Sequence, residues 1–206
     1  MSRAAEIRAT ARDKLGFADL RPGQLEAVES VLAGRDTRPT SDRAREGLFA
    51  TITSLLGSLA GARVLDLYAG SGAVGLEALS RGAEHVLLVE QGARAAQVIR
   101  ANIETLGLPG AVLAADRVER VLARGPDLGR RYGVVFADPP YALPGAELSR
   151  VLALLTRHGW LAPGALVIVE RATRSGPLGW PDGFVPDRER RYGEATFWYG
   201  RAPAVN

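Results

Sequence analysis

The stretch FADPPYALPG, at residues 136–145, combines residue types that suit chemistry on a base amine. Asp138 and a nearby main-chain carbonyl can accept both N–H bonds of an exocyclic amine, which leaves the nitrogen lone pair aimed at a methyl donor. Pro139 and Pro140 fix φ and remove N–H donors, so the loop is stiff and presents acceptors. Tyr141 offers a flat face for stacking a base. The alternative is a proline-rich turn with Asp138 as a helix N-cap.

A glycine-rich segment, DLYAGSGAVG at residues 66–75, follows an apolar run and opens a helical pattern. Its glycines Gly70, Gly72 and Gly75 have the G-x-G-x-x-G spacing of a ligand-binding turn between a strand and a helix. A plain tight turn, a dinucleotide site and an S-adenosylmethionine site all fit this spacing. Asp66 favours the last, because a carboxylate there suits an ammonium group and opposes a pyrophosphate.

Two further acids follow predicted strands. Glu90 closes the run HVLLVE, where a carboxylate can accept both hydroxyls of a ribose, or form an ordinary polar strand end. Asp116 follows AVLAA, where it can reach an adenine amine or cap the helix RVERVL.

These residues depend on a regular alternation of apolar runs and helical patterns that begins at residue 63. Strands are predicted at 63–69, 85–90, 111–115, 132–137 and 165–170. Helices are predicted between them at VGLEALSRG, ARAAQVIRANIETLG, RVERVLAR and ELSRVLALLTRHG. Strands separated by such helices imply right-handed crossovers and a parallel sheet. The segments GFVPDRERRYG and EATFWYG predict a closing antiparallel pair. The expected fold class is therefore α/β and Rossmann-like, with seven mostly parallel strands and the last one antiparallel.

Composition excludes several classes of protein. The 206 residues, 47% hydrophobic and 24% charged, indicate one soluble globular domain with a small appendage. There is no cysteine and there are two histidines, which excludes zinc ribbons, iron–sulfur clusters and thiol catalysis, so no metal is expected. Neither a membrane span nor a signal peptide is recognised, so a cytoplasmic protein is expected. The net charge of +3 comes almost wholly from arginine, which suits phosphate contacts and base stacking.

Together these motifs resemble the class I methyltransferases that modify exocyclic amines of nucleic-acid bases. More narrowly, RPTSDRAREGLFATI (38–52), DLYAGSGAVGLEALSRGA (66–83), DPPY and the late RRYGEATF segment resemble the RsmD family. That family methylates N2 of a guanine in small-subunit (16S) ribosomal RNA. The resemblance runs from about residue 34 to 200. It implies an S-adenosylmethionine-dependent rRNA (guanine-N2) methyltransferase that acts on the small ribosomal subunit, and we expect a monomer without a metal.

The resemblance also implies roles for particular residues. It assigns S-adenosylmethionine to Asp66, Tyr68, Gly70, Ser71, Gly72, Glu90 and Asp116. It assigns the guanine to Asp138, Pro139, Pro140 and Tyr141, with Asp138 orienting the amine and Tyr141 holding the ring. It assigns RNA contacts to Arg38, Thr40, Arg43 and Arg45 of the RPT-x-DR-x-RE segment, for which the alternative is a solvated helix face.

The first 37 residues depart from that family, whose members usually open with a short basic hairpin thought to grip RNA. Here residues 14–37 resemble the start of RecQ-type DNA helicases, in which Phe17, Arg21 and Gln24 match an adenine-reading F-x-x-x-R-P-x-Q element. No G-K-[ST] phosphate loop follows, so ATP hydrolysis is not expected. We predict a helical appendage at 1–37, whose alternative role is a cap packed on the sheet, and a methyltransferase domain at 38–206.

Three other functions fit parts of the pattern. An adenine-N6 DNA methyltransferase fits because DPPY serves any exocyclic amine and the appendage resembles a DNA helicase. A nicotinamide oxidoreductase would use the glycine loop, but Asp66 and the absence of a Tyr-x-x-x-Lys pair oppose it. A cofactor-binding but weakly active module would follow from loss of the RNA-gripping hairpin.

Overall fold

The computed structural model describes residues 42–203. The predicted appendage and helicase-like segment, together with Arg38 and Thr40, lie outside the described residues. Arg43 lies on the first described helix, where only its backbone is described.

The described chain consists of five α-helices and seven strands. In chain order they are α1 (Asp42–Leu56), β1 (Arg63–Leu67), α2 (Ala73–Ser80), β2 (His85–Val89), α3 (Ala93–Leu106), β3 (Ala111–Ala114), α4 (Val118–Arg124), β4 (Tyr132–Ala137), α5 (Gly145–Arg157), β5 (Leu161–Ala172), β6 (Val185–Tyr192) and β7 (Ala195–Arg201). Short 3-10 helices lie at Asp127–Gly129 and Thr173–Ser175.

All seven strands form one sheet in the order β3-β2-β1-β4-β5-β7-β6. Strands β1 to β5 are parallel to one another, whereas β7 runs antiparallel to both β5 and β6. This confirms the predicted seven-stranded, mostly parallel sheet with an antiparallel last strand. The chain moves outward from β1 to β3 on one side and resumes with β4 on the other. Strands β1 and β4 therefore flank the switch point at which open α/β sheets bind ligands.

The sheet is covered on both faces, which explains the nearly continuous apolar runs of its parallel strands. Successive side chains of a strand point to opposite faces, so Leu65 and Val135 lie in one core and Val64 and Val134 in the other. Helices α4 and α5 pack on the first face. Helices α1, α2 and α3 pack on the second.

Helix α1 packs one face against the sheet, although the sequence had suggested an RNA-contact motif or a solvated helix for this segment. Ala44, Leu48 and Ile52 recur every four residues and, with Phe49, are 0 to 2% exposed. The segment is therefore part of the second core. Strand β5 is also longer than its predicted apolar run at 165–170, because it begins at Leu161 and extends to Ala172.

Candidate active site

A cleft of about 810 Å³ opens at the carboxyl edge of the sheet. Its walls come from the ends of four parallel strands: Tyr68 follows β1, Glu90 follows β2, Asp138 follows β4 and Glu170 lies near the end of β5. The switch point between β1 and β4 thus lies within the cleft. This is the place where the topology leads one to expect a ligand.

The DPPY loop forms one wall of the cleft, and all four of its residues line it. The Asp138 N–H donates to the Leu67 carbonyl oxygen at 3.3 Å, which ties the loop to the end of β1. The Leu143 N–H donates to the Pro140 carbonyl oxygen at 2.8 Å and closes a turn. Pro139 is buried and Pro140 exposed. The loop therefore joins β4 to α5 as a tied turn.

The carboxyl group of Asp138 has a perturbed acidity. Burial raises its pKa, and the nearby carboxylates of Glu170 and Asp66 raise it further. Burial disfavours the charged form, and like charges add to that effect. A cation or an N–H donor entering the cleft would favour the ionised form, so ligand binding and deprotonation of Asp138 are coupled.

Asp66 supports the glycine loop from within the sheet. It is 1% exposed, and its Oδ2 accepts a hydrogen bond from the Gly75 N–H at 2.8 Å. Burial, offset in part by this hydrogen bond, raises the pKa of Asp66 to about 7. Gly72 has φ of 81° at the start of α2, a conformation that favours glycine. Asp66 thus lies beneath the turn, and neither it nor Gly70, Ser71 and Gly72 is among the residues that line the cleft.

Glu90 connects the loops that follow β1 and β2. Its Oε2 accepts a hydrogen bond from the Gly70 N–H at 2.9 Å, and its Oε1 accepts one from the Gly92 N–H at 2.6 Å. The residue also lines the cleft. A carboxylate has about four acceptor positions, so acceptor capacity remains for a ligand hydroxyl.

Two further residues adjoin the glycine loop, and of these Tyr68 lines the cleft whereas Asn102 does not. Asn102 is 2% exposed, and its Nδ2 donates to the Ser71 carbonyl oxygen at 3.0 Å. Tyr68 has φ of 60°, which is uncommon for a residue other than glycine, and it lines the cleft. Its hydroxyl is buried without a hydrogen-bond partner among the described residues. Burial and the charge of Glu119 raise the pKa of Tyr68.

Asp116 forms its hydrogen bond and ion pairs with arginines at and after the start of α4, and it does not line the cleft. Its carboxylate accepts the Arg117 N–H at 2.8 Å and pairs with Arg124 at 2.8 Å and Arg120 at 3.1 Å. The backbone hydrogen bond from Arg117, together with the charges of the two paired arginines, lowers the pKa of Asp116. Arg117, Val118 and Glu119 line the cleft at this strand end, whereas Asp116 does not.

Arg45 connects two helices. Its Nε lies 2.7 Å from Oε2 of Glu77 on α2, and the other oxygen of Glu77 binds Arg81 at 2.7 Å. The Arg45 side chain is 18% exposed, and it does not line the cleft. The neighbouring Ala44 does line it. Helix α1 therefore contributes to the cleft through Ala44.

The lining of the cleft is strongly acidic, a property that sequence reasoning did not detect. Among the described lining residues six carry carboxyl groups and one, Arg117, carries a guanidinium. The carboxyl groups belong to Glu90, Glu119, Asp138, Glu147, Glu170 and Glu194. Asp138 and Glu194 lie in the DPPY and RRYGEATF segments, and only the fold brings all six acids to one edge of the sheet. Such a lining attracts a cationic ligand and repels a pyrophosphate.

Comparison with known proteins identifies the family. A family model described as "Conserved hypothetical protein 95" matches residues 28–201. Ribosomal RNA small subunit methyltransferase D of Escherichia coli strain K12 is 35% identical over 160 residues, which cover 78% of this chain and 77% of that relative. The chain belongs to the RsmD family. The relative of the same name from Haemophilus influenzae is 32% identical over 173 residues, covering 81% of this chain and 84% of the relative.

The fold of this RsmD-family chain is found in a solved relative. The structure of yhhF from Escherichia coli superposes with a TM-score of 0.72 at 32% identity and covers 82% of this chain and 90% of that one. The class I methyltransferase fold predicted for the chain is thereby confirmed. The helicase resemblance of residues 14–37 gains no support from these comparisons.

Within residues 42–203 no helix is long and apolar enough to cross a membrane. The same residues contain no group of three or more His, Asp or Glu side chains arranged to hold a metal ion.

Proposed function

We propose that this chain transfers a methyl group from S-adenosylmethionine to the N2 amine of a guanine in small-subunit ribosomal RNA. Membership of the RsmD family supports the coarser assignment, a ribosomal RNA methyltransferase, because its relatives carry that name. One observation carries the amine chemistry. Asp138 lies directly after β4, with its backbone tied to β1, and it lines a cleft that also contains Tyr141.

The residues of the cleft fit S-adenosylmethionine better than a dinucleotide. The acidic lining suits the sulfonium and ammonium charges of that cofactor and would repel a pyrophosphate, which disfavours a nicotinamide oxidoreductase. Glu90 holds the Gly70 N–H and retains acceptor capacity for ribose hydroxyls. A cationic ligand would favour the ionised form of Asp66, whose carboxyl group lies beneath the turn. The bound cofactor supplies an electrophilic methyl group, so the protein needs to contribute mainly position.

The protein's own residues then act on the base. Ionised Asp138 accepts an N–H of the amine and turns the nitrogen lone pair toward the methyl donor. As the N–C bond forms, the bond between the methyl carbon and the sulfonium sulfur of the donor would break, leaving a neutral thioether. The nitrogen becomes positively charged and must lose one proton. Asp138 can take this proton, because its raised pKa makes it a better base than an ordinary aspartate. Tyr141 stacks on the ring, and the base must leave its own stack to reach the cleft.

An adenine-N6 DNA methyltransferase would use the same DPPY residues. The names of the RsmD-family relatives favour ribosomal RNA over DNA. The test is to map modified nucleosides in ribosomal RNA from cells with and without the gene. We expect one N2-methylguanine in the small-subunit RNA to disappear without the gene and to return with the wild-type chain but not with Asp138→Ala. A gene-dependent N6-methyladenine, with no change in N2-methylguanine, would overturn the proposal.

A matched pair of variants separates catalysis from cofactor binding. Asp138→Ala should lower kcat by roughly 100- to 1000-fold, the usual cost of removing a group that acts in the transition state. Its Kd for S-adenosylhomocysteine should stay within about threefold of wild type. Glu90→Ala should instead raise that Kd by roughly 10- to 100-fold, since it loses charged hydrogen bonds. Calorimetry gives the Kd of both variants for S-adenosylhomocysteine. An unchanged Kd for Glu90→Ala would reject the ribose role of Glu90.

A further inference from the structure

Glu170 lies beside Asp138 in the sheet, although no sequence motif marks it. Ala137, the last residue of β4, pairs in parallel register with Val169 of β5. The next residue on each strand is Asp138 and Glu170, so these two are lateral neighbours. Glu170 is 4% exposed and lines the same cleft as Asp138. The fold therefore places two carboxyl groups side by side where the base is proposed to bind.

The charges of Glu170 and Asp138 repel each other. The charge of Glu170 adds to burial in raising the pKa of Asp138. Two ionised carboxyl groups held side by side repel each other, which favours protonation of one of them. Two adjacent acceptors become favourable when a ligand brings two adjacent N–H donors.

The bases that carry an exocyclic amine differ in the ring atom beside it. Guanine has a ring N1–H next to its N2 amine, and thus two neighbouring donors on one edge. Adenine N1 and cytosine N3 are acceptors, which would face a carboxylate oxygen with a lone pair. An enzyme that takes a base out of its stack reads this Watson–Crick edge by hydrogen bonds. Two neighbouring carboxylates are therefore complementary to guanine and not to adenine or cytosine.

We propose that Glu170 determines the specificity for guanine by accepting a hydrogen bond from N1–H while Asp138 accepts one from the N2 amine. The inference rests on the proposed function, because it concerns the base that the same cleft receives. It also explains how a DPPY loop, which suits any exocyclic amine, selects one base. In this role Glu170 contacts the N1–H group of guanine, which takes no part in the methyl transfer.

The test compares guanine with 2-aminopurine, which keeps the 2-amine but has an acceptor at N1. Two RNA oligonucleotides carry one or the other base at the guanine mapped in the ribosomal RNA experiment. Wild-type full-length chain should prefer guanine by roughly 1000-fold or more in kcat/KM, because a site built to bind an N–H rejects an analogue that lacks it. Glu170→Gln can donate to the acceptor, so its preference should fall to within about tenfold.

The ratio between the two RNAs is the decisive readout, because loss of guanine O6 in 2-aminopurine affects both variants. Glu194→Gln is the matched control, since Glu194 is an exposed acid of the same cleft and its change removes the same charge. It should keep the wild-type ratio. A wild-type chain that methylates both RNAs equally, or a Glu170→Gln variant that keeps the wild-type ratio, would overturn the inference.

Failure of this inference can be distinguished from failure of the proposed function. If the function fails, no N2-methylguanine depends on the gene and no target RNA is defined. If only the inference fails, wild-type chain still methylates the guanine RNA. A circular dichroism melt of Glu170→Gln shows whether that variant is folded, and its Kd for S-adenosylhomocysteine shows whether the cofactor site is intact.

Discussion

Two carboxyl groups beneath and within the cleft, Asp66 and Asp138, are buried enough that their protonated forms are favoured at higher pH than usual. A pKa raised by folding contributes stability that is fully present below the unfolded value and is lost as pH rises through the folded one. For Asp66 that range runs from 3.8 to about 7. The acids that suit a cationic ligand therefore weaken the empty protein near neutral pH.

Replacing Asp66 by asparagine should remove the loss of folding stability that accompanies ionisation of Asp66. In Asp66→Asn the amide oxygen can still accept the Gly75 N–H, so the change removes the charge and keeps the hydrogen bond. The free energy of unfolding at pH 8 should rise by up to about 4 kcal/mol, with little gain at pH 4. Urea unfolding at both pH values measures the difference.

The control for this prediction is Glu104→Gln, which removes an exposed acid of α3. It should give the same pH dependence as wild type. If Asp66→Asn and wild type lose stability in parallel as pH rises, the titration of Asp66 does not limit stability. The asparagine variant should also bind S-adenosylhomocysteine more weakly, since the negative charge beneath the turn is gone.

The sequence predicted the position of those site residues that directly follow or close an apolar run. Glu90 and Asp138 both follow apolar runs, so their position at the sheet edge could be read from the chain, and both line the cleft. Glu170 also closes a predicted apolar run, at 165–170, but its place beside Asp138 follows only from the register between β4 and β5. The arginines that pair with Asp116 lie four and eight residues further on, a spacing that could have indicated a structural role.

At the scale of elements, helix α1 and strand β6 meet through a close contact. A Cβ at Gly47 of α1 would lie 2.6 Å from Cε1 of Tyr192, the last residue of β6. Tyr192 also packs against Phe197, with ring centroids 5.4 Å apart, and lines the cleft. The contact thus joins the RPTSDRAREGLFATI and RRYGEATF segments, both of which carry the family resemblance. It fixes α1 against the edge of the cleft.

Gly47→Ala should destabilise the wild-type chain by about 1–3 kcal/mol, because the new methyl group overlaps the Tyr192 ring. In a Tyr192→Ala background the sign should reverse. Alanine is a better helix former than glycine, so the same change should then stabilise by about 0.5–1 kcal/mol. Denaturant unfolding of the four variants gives the coupling energy, and equal effects in both backgrounds would contradict the contact.

The strands were predictable because a parallel sheet covered on both faces requires continuous apolar runs, and each predicted run contains or overlaps an observed strand. Helix α1 was not predicted as part of the core. Its first turn carries Arg43 and Arg45, which suggested an RNA contact, and its Tyr192 partner lies at the other end of the chain. Periodicity alone describes a helix face, whereas the long-range contact decides what covers that face.

At the scale of the whole molecule, residues 42–203 contain a seven-stranded sheet with a hydrophobic core on each face. The strand ends that form the cleft all lie in the same range. The division of the chain near residue 37 stays a prediction. Each helix and strand that positions a proposed site residue of the cleft lies within the described range.

Deletion of residues 1–37 should therefore leave the methyltransferase domain folded and able to bind cofactor. We expect the Tm to change by less than about 4 °C, which corresponds to about 1 kcal/mol for a chain of this size. The Kd for S-adenosylhomocysteine should be unchanged within about threefold. A loss of more than about 10 °C, or a tenfold weaker Kd, would show that the appendage belongs to the domain.

Methylation of small ribosomal subunits by the same variant then measures the contribution of the appendage to RNA binding. A lower kcat/KM with unchanged cofactor affinity would assign the appendage to substrate binding.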